Sequence, residues 1–137
     1  MERDQMSRLV IGLGFREAAT AQSIAEVLAS VAARIAEPCG ATVLAVAQDK
    51  AAHLGLLAAA QASHYQIEMV ATDAMRKADA RVITRSARVL RQRGVGSVCE
   101  AAALAVAGAD ARLVITRTVS ADRNATAAAA ISEDVAP

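Results

Sequence analysis

Aromatic side chains are almost missing from this sequence. Phe15 and Tyr65 are the only two in 137 residues, and there is no tryptophan. A chain so poor in rings has no platform on which nucleobases can stack. Charge of one sign is also lacking: Lys and Arg exceed Asp and Glu by one, leaving a formal net charge of +1. General affinity for nucleic acid needs clustered cations in excess, so a nucleic-acid partner is not expected. Cysteine is scarce. Cys39 and Cys99 form no C-x-x-C pair and are too few for a disulfide framework. Reduced thiols in a cytoplasmic protein are the simplest expectation. No apolar run reaches the length of a membrane span without a charge or a break, so no membrane partner is expected. The opening MERDQMSR is polar and acidic, unlike a secretory leader. His53 and His64 are not four residues apart, so they form no metal pair on one helix face. No resident metal or cofactor is expected.

What the chain does have is small and aliphatic. Hydrophobic residues make up 55% of it, mostly Ala, Val, Leu and Ile. That is ample for one compact domain spanning residues 1–137, with 1–7 and 132–137 frayed. Leu9–Gly14 is a continuous apolar run, as in a central strand. Thr20 is a good N-cap, and Ile24, Val27, Leu28, Val31 and Ile35 mark one face of a helix that Pro38 and Gly40 stop. Thr42–Ala47 reads as a second buried strand, 51–63 as a helix despite Gly55, and Tyr65–Val70 as a third strand. Thr72–Lys77 makes a short helical turn. Thr84–Arg93 reads as a helix with Val89 and Leu90 inward. Ser97 and Glu100 match a capping box, in which each side chain satisfies the other residue's backbone N–H. The helix they open runs to Gly108. Leu113–Thr118 reads as a fourth, inner strand. Asn124–Ile131 follows after a loop too short for a crossover helix, so it is expected to pair antiparallel at the sheet edge. The expected fold is α/β: a three-layer α/β/α sandwich, its sheet mostly parallel with an antiparallel C-terminal edge strand.

Gly12-Leu13-Gly14 invites comparison with a dinucleotide-binding turn. That fingerprint needs a third glycine, which here would fall at Glu17, whose carboxylate would repel a pyrophosphate. Asp49 follows the second strand, but beyond the usual spacing for an acid that binds ribose. The simpler reading is that the glycines allow a tight strand-to-helix turn. A nucleotide-binding α/β enzyme stays as an alternative.

Four segments in order point elsewhere. "GLGFR" followed by "TAQSIAEVL", "AVAQDKAAHLGL", "VGSVCEAAAL" and "NATAAAAI" together span nearly the whole chain. Their order and spacing resemble the CobE/CbiG C-terminal family of cobalamin (vitamin B12) biosynthesis, and the short length resembles its stand-alone CobE-like form. Phe15 stands where the family has a cysteine, and Glu17 and Ala18 where it has a basic residue and a glycine. The resemblance implies a protein that binds a polycarboxylate precorrin or corrinoid intermediate. It would either hand that intermediate on, with other cobalamin-pathway enzymes as partners, or assist lactone opening as a precorrin lactone hydrolase does.

Arg16 follows the first strand, Lys50 the second, and Arg117 closes a later one. In a parallel α/β sheet these positions share one edge, where ligands usually bind. A corrin precursor carries acetate and propionate carboxylates. Arginine grips a carboxylate with a two-pronged hydrogen bond, and lysine adds a mobile charge. Taken singly and without the resemblance, each cation reads more readily as a solvated loop residue; the resemblance turns the balance toward binding for Arg16 and Lys50. Gly12 and Gly14 complete the site on the first strand. Asn124 and Thr126 could donate hydrogen bonds to the ligand or could simply close the turn before the last strand. Ser97 and the helix N-terminus behind it could receive a carboxylate, and Glu100 could act as a general base if its capping bond were absent. Cys99, amid alanines, reads as a small core residue rather than a nucleophile. No catalytic group is assigned. The remaining alternative is a non-catalytic subunit that docks through its alanine-rich helices.

Overall fold

The computed structural model describes residues 8–35 and 41–132. Five strands form one sheet: β1 (Arg8–Phe15), β2 (Ala41–Ala47), β3 (Gln66–Val70), β4 (Arg112–Val119) and β5 (Ala125–Ser132). Their spatial order is β3-β2-β1-β5-β4. Helices α1 (Ala21–Ala33) and α2 (Leu54–Ser63) cover one face. Helices α3 (Thr72–Ala78) and α5 (Val98–Ala107) cover the other. A further helix, α4 (Ala87–Arg93), lies apart from both layers and buries none of its residues.

Alternation along the strands sorts the core into two halves. Leu9, Ile11 and Leu13 of β1, with Leu44 and Val46 of β2, meet Ile24, Val27, Leu28 and Val31 of α1. Val10, Val43 and Ala45 point the other way, toward Ala101–Leu104 of α5. The capping of α1 is reciprocal. Thr20 Oγ1 accepts from the Ser23 N–H at 3.0 Å, and Ser23 Oγ accepts from the Thr20 N–H at 3.5 Å. The expected stop at Pro38 and Gly40 lies outside the described residues. Ser132 is not frayed: it pairs with Arg8 at the end of β5.

The three-layer α/β/α expectation holds, with two corrections. The sheet is mixed rather than mostly parallel, because β1–β2 and β2–β3 are parallel while β1–β5 and β5–β4 are antiparallel. And β5 is not the edge strand; β4 is. The bulkier sequence of β4, RLVITRTV, is only half-buried, whereas Ala127–Ala130 of β5 are fully buried. Both helical layers press on β5, with α1 on one face and α5 on the other. Side chains larger than a methyl group would hold those layers apart. Burial there selects smallness, which strand propensity does not report.

Because β4 runs antiparallel to β5 and hence parallel to β1, the C-terminal ends of β1, β2 and β4 lie on the same sheet edge. The start of β5 joins them, with Thr126 beside Gly14 on one side and Val119 on the other.

Candidate functional site

That edge opens into a cleft of about 670 Å³, within the size range of small-molecule sites. It is walled by α4 on one side and by the ends of β1, β4 and β5 on the other. The structure brings together here Gly14, Arg16, Lys50, Ser97, Arg117, Asn124 and Thr126 from the sequence reading. It adds Arg88, Gln92 and Arg93 from α4, and Arg123 from the β4–β5 loop. Six basic side chains therefore line the cleft: Arg16, Lys50, Arg88, Arg93, Arg117 and Arg123. Among the described residues, no acidic side chain lines it. The low net charge of the chain hid this segregation. Leu13, Phe15, Val89, Val98 and Val119 supply apolar surface between the cations.

The glycines of β1 have a different role from the one expected. The strand continues through Phe15, so neither glycine sits in a turn. A Cβ on Gly12 would lie 1.9 Å from the carbonyl oxygen of Cys99 and 2.6 Å from the Ala103 nitrogen. Gly12 lets α5 pack directly on the strand and is buried away from the cleft. A Cβ on Gly14 would meet Thr126 Oγ1 at 2.9 Å; that hydroxyl donates to the Gly14 carbonyl at 3.1 Å. Neither glycine forms a phosphate-binding turn.

Glu100 corrects another expectation. Ser97 Oγ does accept from the Glu100 N–H, at 3.5 Å, but the Glu100 carboxylate does not reach back to Ser97. It is 0% exposed. Oε1 accepts from the N–H groups of Ile83 and Thr84 at 2.8 and 2.9 Å, and Oε2 from the Arg117 N–H at 2.8 Å. Sealed from the cleft, it is no general base for a ligand there. The Arg117 amide is free to make this bond because the β4–β5 register is broken between Ile115 and Thr118. Cys99 is fully buried, and burial pushes its thiol pKa up, away from nucleophilic character.

Around Phe15 the first wall is tightly organised. The His53 ring meets Phe15 edge-on with centroids 4.8 Å apart, and Lys50 Nζ lies 5.7 Å from the Phe15 ring centre. His53 Nδ1 accepts from the Leu56 N–H at 3.3 Å, capping α2, while Nε2 lies 3.0 Å from the Glu17 carbonyl oxygen. With both nitrogens engaged, His53 is a capping residue, and α2 begins at Leu54 rather than at 51. Glu17 itself is exposed and lies 3.9 Å from Lys50.

Asp49, the acid weighed as a ribose ligand, is instead held by Arg93 through two hydrogen bonds of 2.9 Å. That guanidinium keeps the Asp49 carboxyl below its usual pKa, and the aspartate in turn raises that of Arg93. Leu90 does not turn inward and is 45% exposed. The inward face of α4 carries Arg88, Val89 and Gln92 to the cleft. A signal for this was present in ARVLRQR: Arg88 and Gln92 stand one helical turn apart, so they share a face.

The opposite rim is set by the β4–β5 loop. Asp122 accepts from the hydroxyls of Ser120 and Ser23 and, at 3.0 Å, from the Asn124 N–H. These bonds lower its pKa to about 2. The Asn124 carbonyl accepts from the Arg16 N–H at 2.9 Å. Asn124 thus ties the turn to β1 as well as lining the cleft. Between them, Arg123 adopts a left-handed backbone, φ 65°, which is costly for a side chain of this kind.

Residues 9–130 match the family described as cobalamin synthesis G C-terminus. The chain belongs to that family. Solved structures agree with the assignment. The cobalamin biosynthesis protein ChiG from Agrobacterium tumefaciens str. C58 is 35% identical, with a TM-score of 0.70 over 92% of this chain and 99% of that one. CobE, a protein from the cobalamin (vitamin B12) biosynthetic pathway, is 26% identical, with a TM-score of 0.79 over 91% of this chain and 90% of that one. No curated protein sequence gives a significant match. Among the described residues of this family member, no helix is long and apolar enough to cross a membrane, and no cluster of His, Cys, Asp or Glu could hold a metal ion.

Proposed function

We propose that this protein binds a polycarboxylate corrin-ring intermediate of cobalamin biosynthesis in the cleft at the β1/β2/β4 edge and hands it on to another enzyme of the pathway. The observation that carries the reading is the composition of the cleft: among the described residues, six cations, no lining acid and apolar patches between them. A precorrin presents a broad, largely apolar ring face bordered by carboxylates. The apolar side chains suit the ring, and the cations suit its edge. Arginine is well fitted to this, since its planar fork pairs with a carboxylate at two points.

Holding is favoured over lactone opening. Ester cleavage needs a base or nucleophile at the reacting carbonyl. Glu100 and Cys99 are sealed in the core, and both His53 nitrogens are engaged. The cations could stabilise an oxyanion, but among the described residues no carboxylate, thiol or imidazole lines the cleft to create one. Docking through alanine-rich helices is disfavoured because the alanines of α5 are buried in its own core. The nucleotide reading loses its support with the burial of Gly12 and the pairing of Asp49.

The test is a titration of the protein with hydrogenobyrinic acid and related precorrins, followed by visible absorbance, with NAD as control. A saturable spectral change with the corrinoid and none with NAD is expected. Arg16→Ala and Lys50→Ala should each weaken binding by about tenfold, the loss of one charge-assisted contact. NAD binding without any corrinoid response would sink the reading. Unchanged affinity in both variants would move the site elsewhere.

A further inference from the structure

The two cationic walls of the cleft have separate origins. Arg117 belongs to the sheet. Arg88 and Arg93 belong to α4, which buries no residue of its own and is tied to the core through the flanking Val82 and Val95. What the walls share is one carboxylate. Glu100 Oε1 accepts from the Ile83 and Thr84 N–H groups, just before α4, and Oε2 accepts from the Arg117 N–H in β4. Asp79 grips the segment on both sides of α4. Asp79 Oδ1 accepts from the Gly96 N–H at 2.7 Å, and Oδ2 pairs with Arg85 at 2.9 Å.

We propose that Glu100 is a positioning residue for the cleft, its buried carboxylate fixing α4 and its arginines at a set spacing from Arg117. A buried carboxylate that takes only backbone N–H groups is an expensive way to stabilise a fold, because apolar packing could fill the same space. Its two oxygens face two different segments, one leading into α4 and the other at Arg117, and both α4 and Arg117 line the cleft. A rigid polycarboxylate ring needs cations at matching intervals, and preorganised spacing avoids ordering them on binding. The inference rests on the corrinoid reading. Glu100 touches no ligand itself.

Glutamine at this position is the informative change. Its amide nitrogen would confront a backbone N–H, donor against donor, so one wall must be released. In Glu100→Gln, amide hydrogen exchange should quicken at residues 83–93 or at Arg117, while β1 and α1 stay protected. Affinity for hydrogenobyrinic acid should fall by about tenfold or more. The cost of Arg88→Ala should be smaller in the Glu100→Gln background than in the parent, because a wall already misplaced has less to lose. Leu28→Ala, a core truncation distant from the cleft, controls for lost stability alone and should bind within about threefold of the parent. Where Glu100→Gln does not fold, Thr84→Pro removes one donor to Oε1 and leaves the carboxylate in place. It should shift exchange and affinity in the same direction. Unchanged exchange at both segments, or an equal affinity loss in Leu28→Ala, would overturn the inference. Were the parent to bind no corrinoid, the functional reading would fall and the ligand part of this inference with it. The exchange measurement would still decide whether Glu100 holds the walls.

Discussion

Gly12 and Asp122 show how single atoms govern this fold. At Gly12 a methyl group would lie 1.9 Å from the Cys99 carbonyl oxygen, a backbone atom that cannot swing aside. Gly12→Ala should force α5 off β1 and lower stability by about 3 kcal/mol or more, measured by urea unfolding. At Asp122 the effect is electrostatic. Hydroxyl and N–H donors hold its folded pKa at about 2, below the ordinary 3.8. A depressed folded pKa means that the stabilising form is the carboxylate. Its contribution is present in full above the unfolded value and disappears as pH falls through the folded one. Asp122→Asn should therefore be less stable than the parent near neutral pH. The gap should close as the pH is lowered from about 4 to about 2, followed by thermal unfolding. At this scale the sequence was a mixed guide. Arg16, Lys50 and Arg117 were legible as cations at strand ends, and the structure gathers them in one cleft. The partners of Glu100 were not legible, because its three donors come from segments 16 and 17 residues away.

Among the elements, α4 stands out for what it lacks. Seven residues long and without a buried side chain, it depends on ties to the rest of the molecule. Isolated helices of this length are unstable in water. The bidentate Asp49–Arg93 pair is one of those ties and is partly exposed, so its worth is modest, about 1 kcal/mol or less. Because α4 has so little else, Asp49→Ala should raise tryptic cleavage after Arg88, Arg91 or Arg93 severalfold, with little change in the global melting temperature. Equal cleavage in parent and variant would show that the pair does not restrain the helix. The periodicity of α1 and the N-cap at Ser97 were readable because both depend on neighbours within one or two turns. The inward assignment of Leu90 was not correct, since hydrophobicity alone does not say whether a helix faces a core or a cleft.

For the whole molecule, a net charge of +1 conceals a strongly cationic cleft. Arg16, Arg88, Arg117 and Arg123 are free of acidic partners among the described residues, so the field at the cleft is largely uncompensated. Corrinoid affinity should fall by about tenfold or more as salt rises from about 0.05 to about 0.5 M, because added ions screen the attraction between the cations and the ligand carboxylates. Affinity independent of salt would argue that the ring face, not the carboxylates, carries the binding.

The sequence by itself determined the α/β class, the order of strands and helices, the family and the cations at the strand ends. Each of these is written in local periodicity, in capping residues or in short motifs. Only the tertiary structure decided that β5 lies inside the sheet, that Gly12 serves helix packing, that α4 forms a wall and that Glu100 joins two segments. Those outcomes depend on which surfaces meet. A methyl-sized side chain, a missing Cβ and a buried carboxylate take their meaning from neighbours distant in the chain, and their spacing along the sequence carries no record of that contact.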